Sequence, residues 1–153
     1  MGMDMSWVLD RLAVGGGIWI ESQMREVAAA GITHIIDLQV EFDDTPLARP
    51  LGLKVLWNPM EDDFEPMDPE MLRRGAEFAM DALKDAKSKV YIHCAAGVHR
   101  GPTMALAVLR AMGYELAEAK RMIRGKRPEA DFVDVYVKSV ERFMRAYEGE
   151  NGG

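Results

Sequence analysis

The 153-residue sequence contains a single cysteine. One thiol closes no internal disulfide, so the fold has to rest on its apolar core. A lone reactive thiol also fits a reducing compartment, and a cytoplasmic location is the expectation. No apolar run approaches the roughly 20 residues of a membrane-spanning helix, so no membrane span is expected. Basic residues are outnumbered, 19 Lys and Arg against 25 Asp and Glu, for a formal net charge of −6. That balance argues against nucleic acid or an anionic membrane surface as a general partner. No internal repeat divides the chain. What remains is 48% hydrophobic and 29% charged, the composition of a soluble globular protein large enough for a real core. One domain over residues 1–153 is expected, with a core from about 7 to 147 and a polar tail over 148–153.

The one cysteine lies in the most informative stretch, Val90-Tyr91-Ile92-His93-Cys94-Ala95-Ala96-Gly97-Val98-His99-Arg100-Gly101-Pro102-Thr103. It opens as a short apolar run with β-branched and aromatic residues, which predicts a buried strand. It closes in a segment apolar on every side, Thr103 to Met112, which predicts a buried helix stopped by Gly113. A loop between a strand and a helix N-terminus aims backbone N–H groups at one spot, which suits an anion. A thiol at the bottom of such a cradle favours the thiolate. A guanidinium six residues on offers a planar fork for two phosphate oxygens. A buried inert cysteine is the bland alternative, and it would leave the glycine and arginine without a purpose. Adjacent His93 and Cys94, with no second ligand pair, do not make a zinc site, and no metal or cofactor is expected.

The rest of the chain alternates strand and helix. Leu12–Val14 and Ile18–Ile20 are brief strand candidates around Gly15-Gly16-Gly17. Ser22 is expected to cap a helix ending near Ala30, before Gly31. Ile32–Leu38 reads as a strand, with His34 packed at or near its end. Glu41 to Pro50 reads as loop, and Leu53–Trp57 as a further core strand. A proline-bounded acidic segment follows, Asn58-Pro59-Met60-Glu61-Asp62-Asp63-Phe64-Glu65-Pro66. Asp68 caps the next helix, with Pro69 in its first turn. Its inward face is Leu72, Ala76, Ala79 and Leu83. Helices over Glu115–Arg124 and from about Phe132 or Val133 to Tyr147 complete the set. Lys120, Arg121, Arg124, Lys126 and Arg127 crowd one helix end, where cations complement the dipole on a solvated surface. The fold class is α/β, a mostly parallel central sheet with helices on both faces. Ligands of such sheets lie beyond the carboxyl ends of the strands. Cys94 and the acidic segment both follow strand ends, so they can share one crevice.

The motif His93-Cys94-x-x-Gly97-x-x-Arg100 resembles the signature of the cysteine-based protein tyrosine and dual-specificity phosphatases. The phrase Gly31-Ile32-Thr33-His34-Ile35-Ile36-Asp37-Leu38 is similar to a strand region of the dual-specificity branch. The resemblance covers roughly Trp7 to Tyr147. It implies Cys94 as nucleophile, Arg100 as clamp, and the backbone of Ala95, Ala96, Gly97, Val98, His99 and Arg100 as phosphate cradle. It implies His93 as a buttress of the loop. It places Asp62 as general acid, with Asp63 as second candidate among the neighbouring carboxylates Glu61 and Glu65. The family usually has Ser or Thr after the arginine, where this chain has Gly101, and slower hydrolysis of a phosphocysteine is the expected consequence. A sulfur-transfer domain of the rhodanese type also sets a cysteine and an arginine around a loop; His93 and Gly97 fit that pattern less well. The expected substrate is a phosphorylated protein or peptide, bearing phosphotyrosine or phosphoserine and phosphothreonine, acted on by a monomer. A phosphoglucan or phosphoinositide substrate, or a low-turnover phosphate-binding adaptor, are the alternatives.

Overall fold

In the computed structural model, which describes residues 2–151, five strands and six α-helices alternate along most of the chain. The strands are β1 (Met5–Leu9), β2 (Leu12–Gly15), β3 (His34–Asp37), β4 (Lys54–Trp57) and β5 (Val90–His93). The helices are α1 (Glu21–Ala29), α2 (Thr45–Ala48), α3 (Pro69–Ala82), α4 (Arg100–Ala111), α5 (Leu116–Lys126) and α6 (Asp134–Asn151). The sheet order is β1-β2-β5-β3-β4. Four strands run parallel, and β1 joins β2 antiparallel as a hairpin at one edge.

Side-chain alternation divides the core between the two faces of the sheet. Ala13, Ile35 and Tyr91 join Met24 and Val27 of α1 and Ala48 of α2 in one buried cluster. Leu12, Val14, Ile36, Val90 and Ile92 join α3, α4, α5 and α6 in the other. Helices therefore cover both faces, as the sequence predicts. Helix α4 is buried from Arg100 through Leu109, the all-round burial its apolar composition requires. Asp68 caps α3 by accepting from the Glu70 amide at 2.9 Å. Leu72, Ala76 and Ala79 of α3 point inward, and Leu83 is half-buried at its end. Gly31 and Gly113 leave α1 and α4 at φ 95° and 105°, backbone that favours glycine.

Several local expectations are corrected. Ile18–Ile20 is not a strand: Ile18 is buried, but Trp19 and Ile20 emerge to form the entry to α1. The hairpin partner of β2 is Met5–Leu9 instead. Ser22 lies inside α1. The cap is made by Gln23, whose Oε1 accepts from the amides of Trp19 at 2.8 Å and Ile20 at 3.3 Å. The segment read as loop from Glu41 to Pro50 contains α2 and a 3-10 turn over Arg49–Leu51, each with proline near its start. Helix α6 continues to Asn151, so most of the expected polar tail is helical; residues 152 and 153 lie outside the described range. His34 packs as expected, its Nδ1 2.8 Å from Thr33 Oγ1 and its ring edge-on to Phe78.

Candidate active site

The parallel register brings the ends of β2, β5, β3 and β4 to one side, and the loops leaving them build the site. Cys94 follows β5 directly and is 2% exposed. Its Sγ accepts the Gly97 amide at 3.2 Å and the Gly101 amide at 3.2 Å. The carbonyls of the loop are fastened from outside. Ala95 O accepts from Gly17 N at 2.9 Å and Ala96 O from Arg127 Nη2 at 3.2 Å. Gly97 O accepts from Arg127 Nε at 2.7 Å. Val98 O accepts from Asp131 N at 2.9 Å, and His99 O from Thr103 N at 3.0 Å. In a trans peptide the N–H points opposite the C=O. Five outward carbonyls therefore turn the amides of Ala96, Gly97, Val98, His99 and Arg100 away from those partners, as an anion cradle requires.

Glycine is obligatory at the middle of this loop. Gly97 has φ 70°, and a Cβ there would stand 2.4 Å from Arg127 Nη2 and 2.7 Å from the Gly15 carbonyl carbon. Thr103 spends its hydroxyl on His99 O at 2.7 Å, within the first turn of its own helix.

Arg127 was expected on a solvated basic surface. It is 1% exposed and braces the cysteine loop from behind, with its other donors on Asp4 at 2.7 and 2.9 Å. Burial works against its charge, but the hydrogen bonds and charge of Asp4 outweigh this and hold it protonated; the same guanidinium holds the Asp4 carboxyl below its usual range. Arg100 is also buried. Its fork is engaged by Glu41, Nη1 to Oε1 at 3.0 Å and Nη2 to Oε2 at 3.0 Å, with Met60 O a further acceptor at 3.0 Å. That pair holds the Glu41 carboxyl below the usual range.

His93 is wholly buried behind the cysteine. Its Nε2 lies 2.7 Å from Asp44 Oδ2 and its Nδ1 3.4 Å from Cys94 O. Asp44's amide donates to Asp37 Oδ2 at 3.1 Å, and the Gln39 amide to Asp37 Oδ1 at 2.9 Å. Asp37 is pushed up to about 7, by burial first and by the Asp44 charge next, against the pull of His93 and the two amides. Asp37, Asp44 and His93 are the one cluster of metal-ligating type among the described residues, with ligand atoms within 4.8 Å of one another. Their mutual hydrogen bonds knit them into a brace under the loop.

The acidic segment after β4 splits the two acid candidates. Asp62 turns to the cysteine loop: its Oδ2 is 2.9 Å from His99 Nδ1, and its Oδ1 accepts from Tyr136 Oη at 2.9 Å. Asp63 turns back on its own loop and accepts from Glu65 N at 3.1 Å. The two adjacent carboxylates, Asp62 the first candidate and Asp63 the second, thus face different neighbours. Desolvation pushes the Tyr136 phenol up to about 12, and Asp62 adds to it, so this hydroxyl stays a donor.

Glu41, Asp37, Asp44, Arg127, Asp131 and Tyr136 escaped the sequence reading. Asp37 carried a visible signal, a carboxylate inside the apolar run Ile35-Ile36-Asp37-Leu38; such a group stays buried only with dedicated partners. Arg127 carried none, since it sits among four other cations.

The family model for the dual specificity phosphatase catalytic domain matches residues 18–144. The chain belongs to that family. A curated relative, protein-tyrosine-phosphatase IBR5 of Arabidopsis thaliana, is 27% identical over 71 residues, which is 46% of this chain and 28% of that protein. The chain thus aligns with little more than a quarter of that relative's length. Solved phosphatase structures share the fold. PTPMT1 in complex with PI(5)P superposes with a TM-score of 0.85 at 18% identity, covering 96% of this chain and 98% of that one. Human DUSP28 gives 0.81 at 21%, covering 97% of each chain. Tk-PTP in its active form gives 0.80 at 23%, covering 95% and 99%. At such identities these structures speak for the fold.

Proposed function

We propose that the protein is a cysteine-dependent dual-specificity phosphatase. On this reading one catalytic domain, residues 7–147, hydrolyses phosphotyrosine and phosphoserine or phosphothreonine monoesters of proteins. The observation that supports it most is the pair of amides on Cys94 Sγ inside a loop whose carbonyls from Ala95 to Val98 are fastened outward. The thiolate attacks phosphorus, the ester P–O bond breaks, and Asp62 gives a proton to the leaving oxygen. Amides from Ala95 to Arg100 hold the three equatorial oxygens, where charge spreads in the transition state. Arg100 shares its fork between the phosphate and Glu41. Water then attacks the phosphocysteine, the S–P bond breaks, and Asp62 takes the water's proton. His93 acts through the loop it supports.

A protein substrate is favoured over a phosphoinositide by charge. Glu61, Asp62, Asp63 and Glu65 are exposed carboxylates of the acid loop, with an exposed Phe64 among them; four negative charges repel an anionic bilayer and suit a basic peptide. Hydrolysis of 4-nitrophenyl phosphate tests the reaction: wild type should turn over, Cys94→Ser should not, and a rapidly quenched wild-type sample should carry phosphate on Cys94. Activity surviving in Cys94→Ser would sink the mechanism. Wild-type inactivity with tight phosphopeptide binding would support an adaptor instead. Phosphopeptides compared with PI(5)P vesicles and phosphorylated glucan test the substrate class, and faster turnover of either alternative would overturn the protein reading.

A further inference from the structure

His99 immediately precedes the arginine of the cysteine loop, and both of its ring nitrogens meet carboxylates from elsewhere in the chain. Nδ1 lies 2.9 Å from Asp62 Oδ2, and Nε2 lies 3.2 Å from Asp131 Oδ2. Asp131 is itself tied to the cysteine loop, through its amide to Val98 O. Neutral imidazole has one N–H and satisfies one acceptor, whereas the imidazolium has two and satisfies both. The other groups around the ring fit this picture. Phe64, held at φ 61°, sets its ring edge-on to His99 at 5.4 Å and stacks on Tyr136 at 6.1 Å. Tyr136 Oη occupies the second oxygen of Asp62. Arg100, the adjacent cation, has its charge matched by Glu41.

We propose that His99 is a positioning residue whose ring fastens the acid loop to the cysteine loop and holds Asp62 beside the reacting phosphate, where it gives a proton in the first step and takes one in the second. The proposal rests on the reading of Asp62 as general acid. Partial burial disfavours the cation, but the two carboxylates outweigh it, and the ring's pKa is raised above its ordinary value. With the carboxylates ionised, the bridge is therefore fully present below the ring's ordinary pKa and is lost as pH climbs through that raised value.

Two substrates separate positioning from a merely structural role. Phenyl phosphate needs a proton on its leaving oxygen; difluoromethylumbelliferyl phosphate, with a far more acidic leaving group, does not. His99→Ala should lower kcat/KM on phenyl phosphate roughly 10- to 100-fold more than on the second substrate. In an Asp62→Asn background the same substitution should cost nothing further. Equal losses on both substrates, or a full additional loss in the Asp62→Asn background, would overturn the proposal while leaving the acid assignment intact. If Asp62→Asn alone spares phenyl phosphate, the acid assignment fails and the proposal fails with it. An NMR titration of the His99 ring reads the bridge without turnover: its pKa should fall in Asp62→Asn, and an unchanged value would refute the ion pair.

Discussion

Replacing Arg127 by alanine tests whether the cysteine loop is held from behind. The side chain is 1% exposed and donates to Gly97 O at 2.7 Å, Ala96 O at 3.2 Å, Ser6 Oγ at 3.2 Å and both oxygens of Asp4. The two bonds to loop carbonyls are charge-assisted, each worth about 1.5–3 kcal/mol when its partner is left bare. Asp4 is more than half exposed and recovers water, so its ion pair adds little net. The loss should total about 3–6 kcal/mol, which for a chain of this size lowers Tm by roughly 10–15 °C. Urea unfolding with an unchanged m-value measures it, and kcat on 4-nitrophenyl phosphate should fall alongside because the amides lose their alignment. Lysine at this position should restore only part, since one ammonium cannot reproduce the planar fork. Lys126→Ala, one residue earlier and exposed, should stay within about 0.5 kcal/mol of wild type. Arg127→Ala inside that same band would refute the bracing argument, and a stability loss with untouched kcat would refute its link to the amides.

Two other outcomes follow from the site. Asp37, pushed up to about 7 in the fold from an ordinary 3.8, takes up a proton on folding within that window. Its stabilising contribution is whole below about pH 4 and is lost as pH rises through about 7, a swing on the order of a few kcal/mol. Urea unfolding from pH 5 to pH 8 should show that decline in wild type and a flatter profile in Asp37→Asn; parallel profiles would remove Asp37 as the cause. At Gly101 an added Cβ would stand 3.4 Å from Cys94 Sγ and 3.2 Å from Val14 Cγ2. Wild type lacks a hydroxyl there, so quenched-flow mixing should show a burst of product before a slower steady state. Gly101→Ser should shrink the burst and Gly101→Ala should keep it; linear release in wild type would contradict the reasoning.

The sequence exposed what depends on period and spacing. The apolar runs around Ile35-Ile36 and Tyr91-Ile92, rich in β-branched and aromatic residues, point to buried strands, and in the fold each pair splits between the two faces of the sheet. The Cys94-to-Arg100 spacing named the loop. Contacts between distant segments were not legible. Asp4 reaches Arg127 across 123 positions and Glu41 reaches Arg100 across 59, and no local pattern encodes either pairing. Strand β1 was missed because Met5-Ser6-Trp7-Val8-Leu9 is mostly half-buried at a sheet edge, where hydrophobic alternation weakens. Asp62 and Asp63 are neighbours in sequence, and their side chains part only when Tyr136, from α6, takes one of them.

Helix α6 holds the acid loop at two further points, Tyr136 Oη accepting from Phe64 N and Ser139 Oγ from Met67 N, each at 2.9 Å. The proposed nucleophile, Cys94, and the proposed proton donor, Asp62, are thus anchored by different stretches of polypeptide, one at the sheet and one at the final helix. Cutting only those moorings, with Tyr136→Phe and Ser139→Ala, would leave a thiol still nested among amides but free the acidic arm, so on the proposed mechanism that variant should favour esters whose alcohols depart unaided.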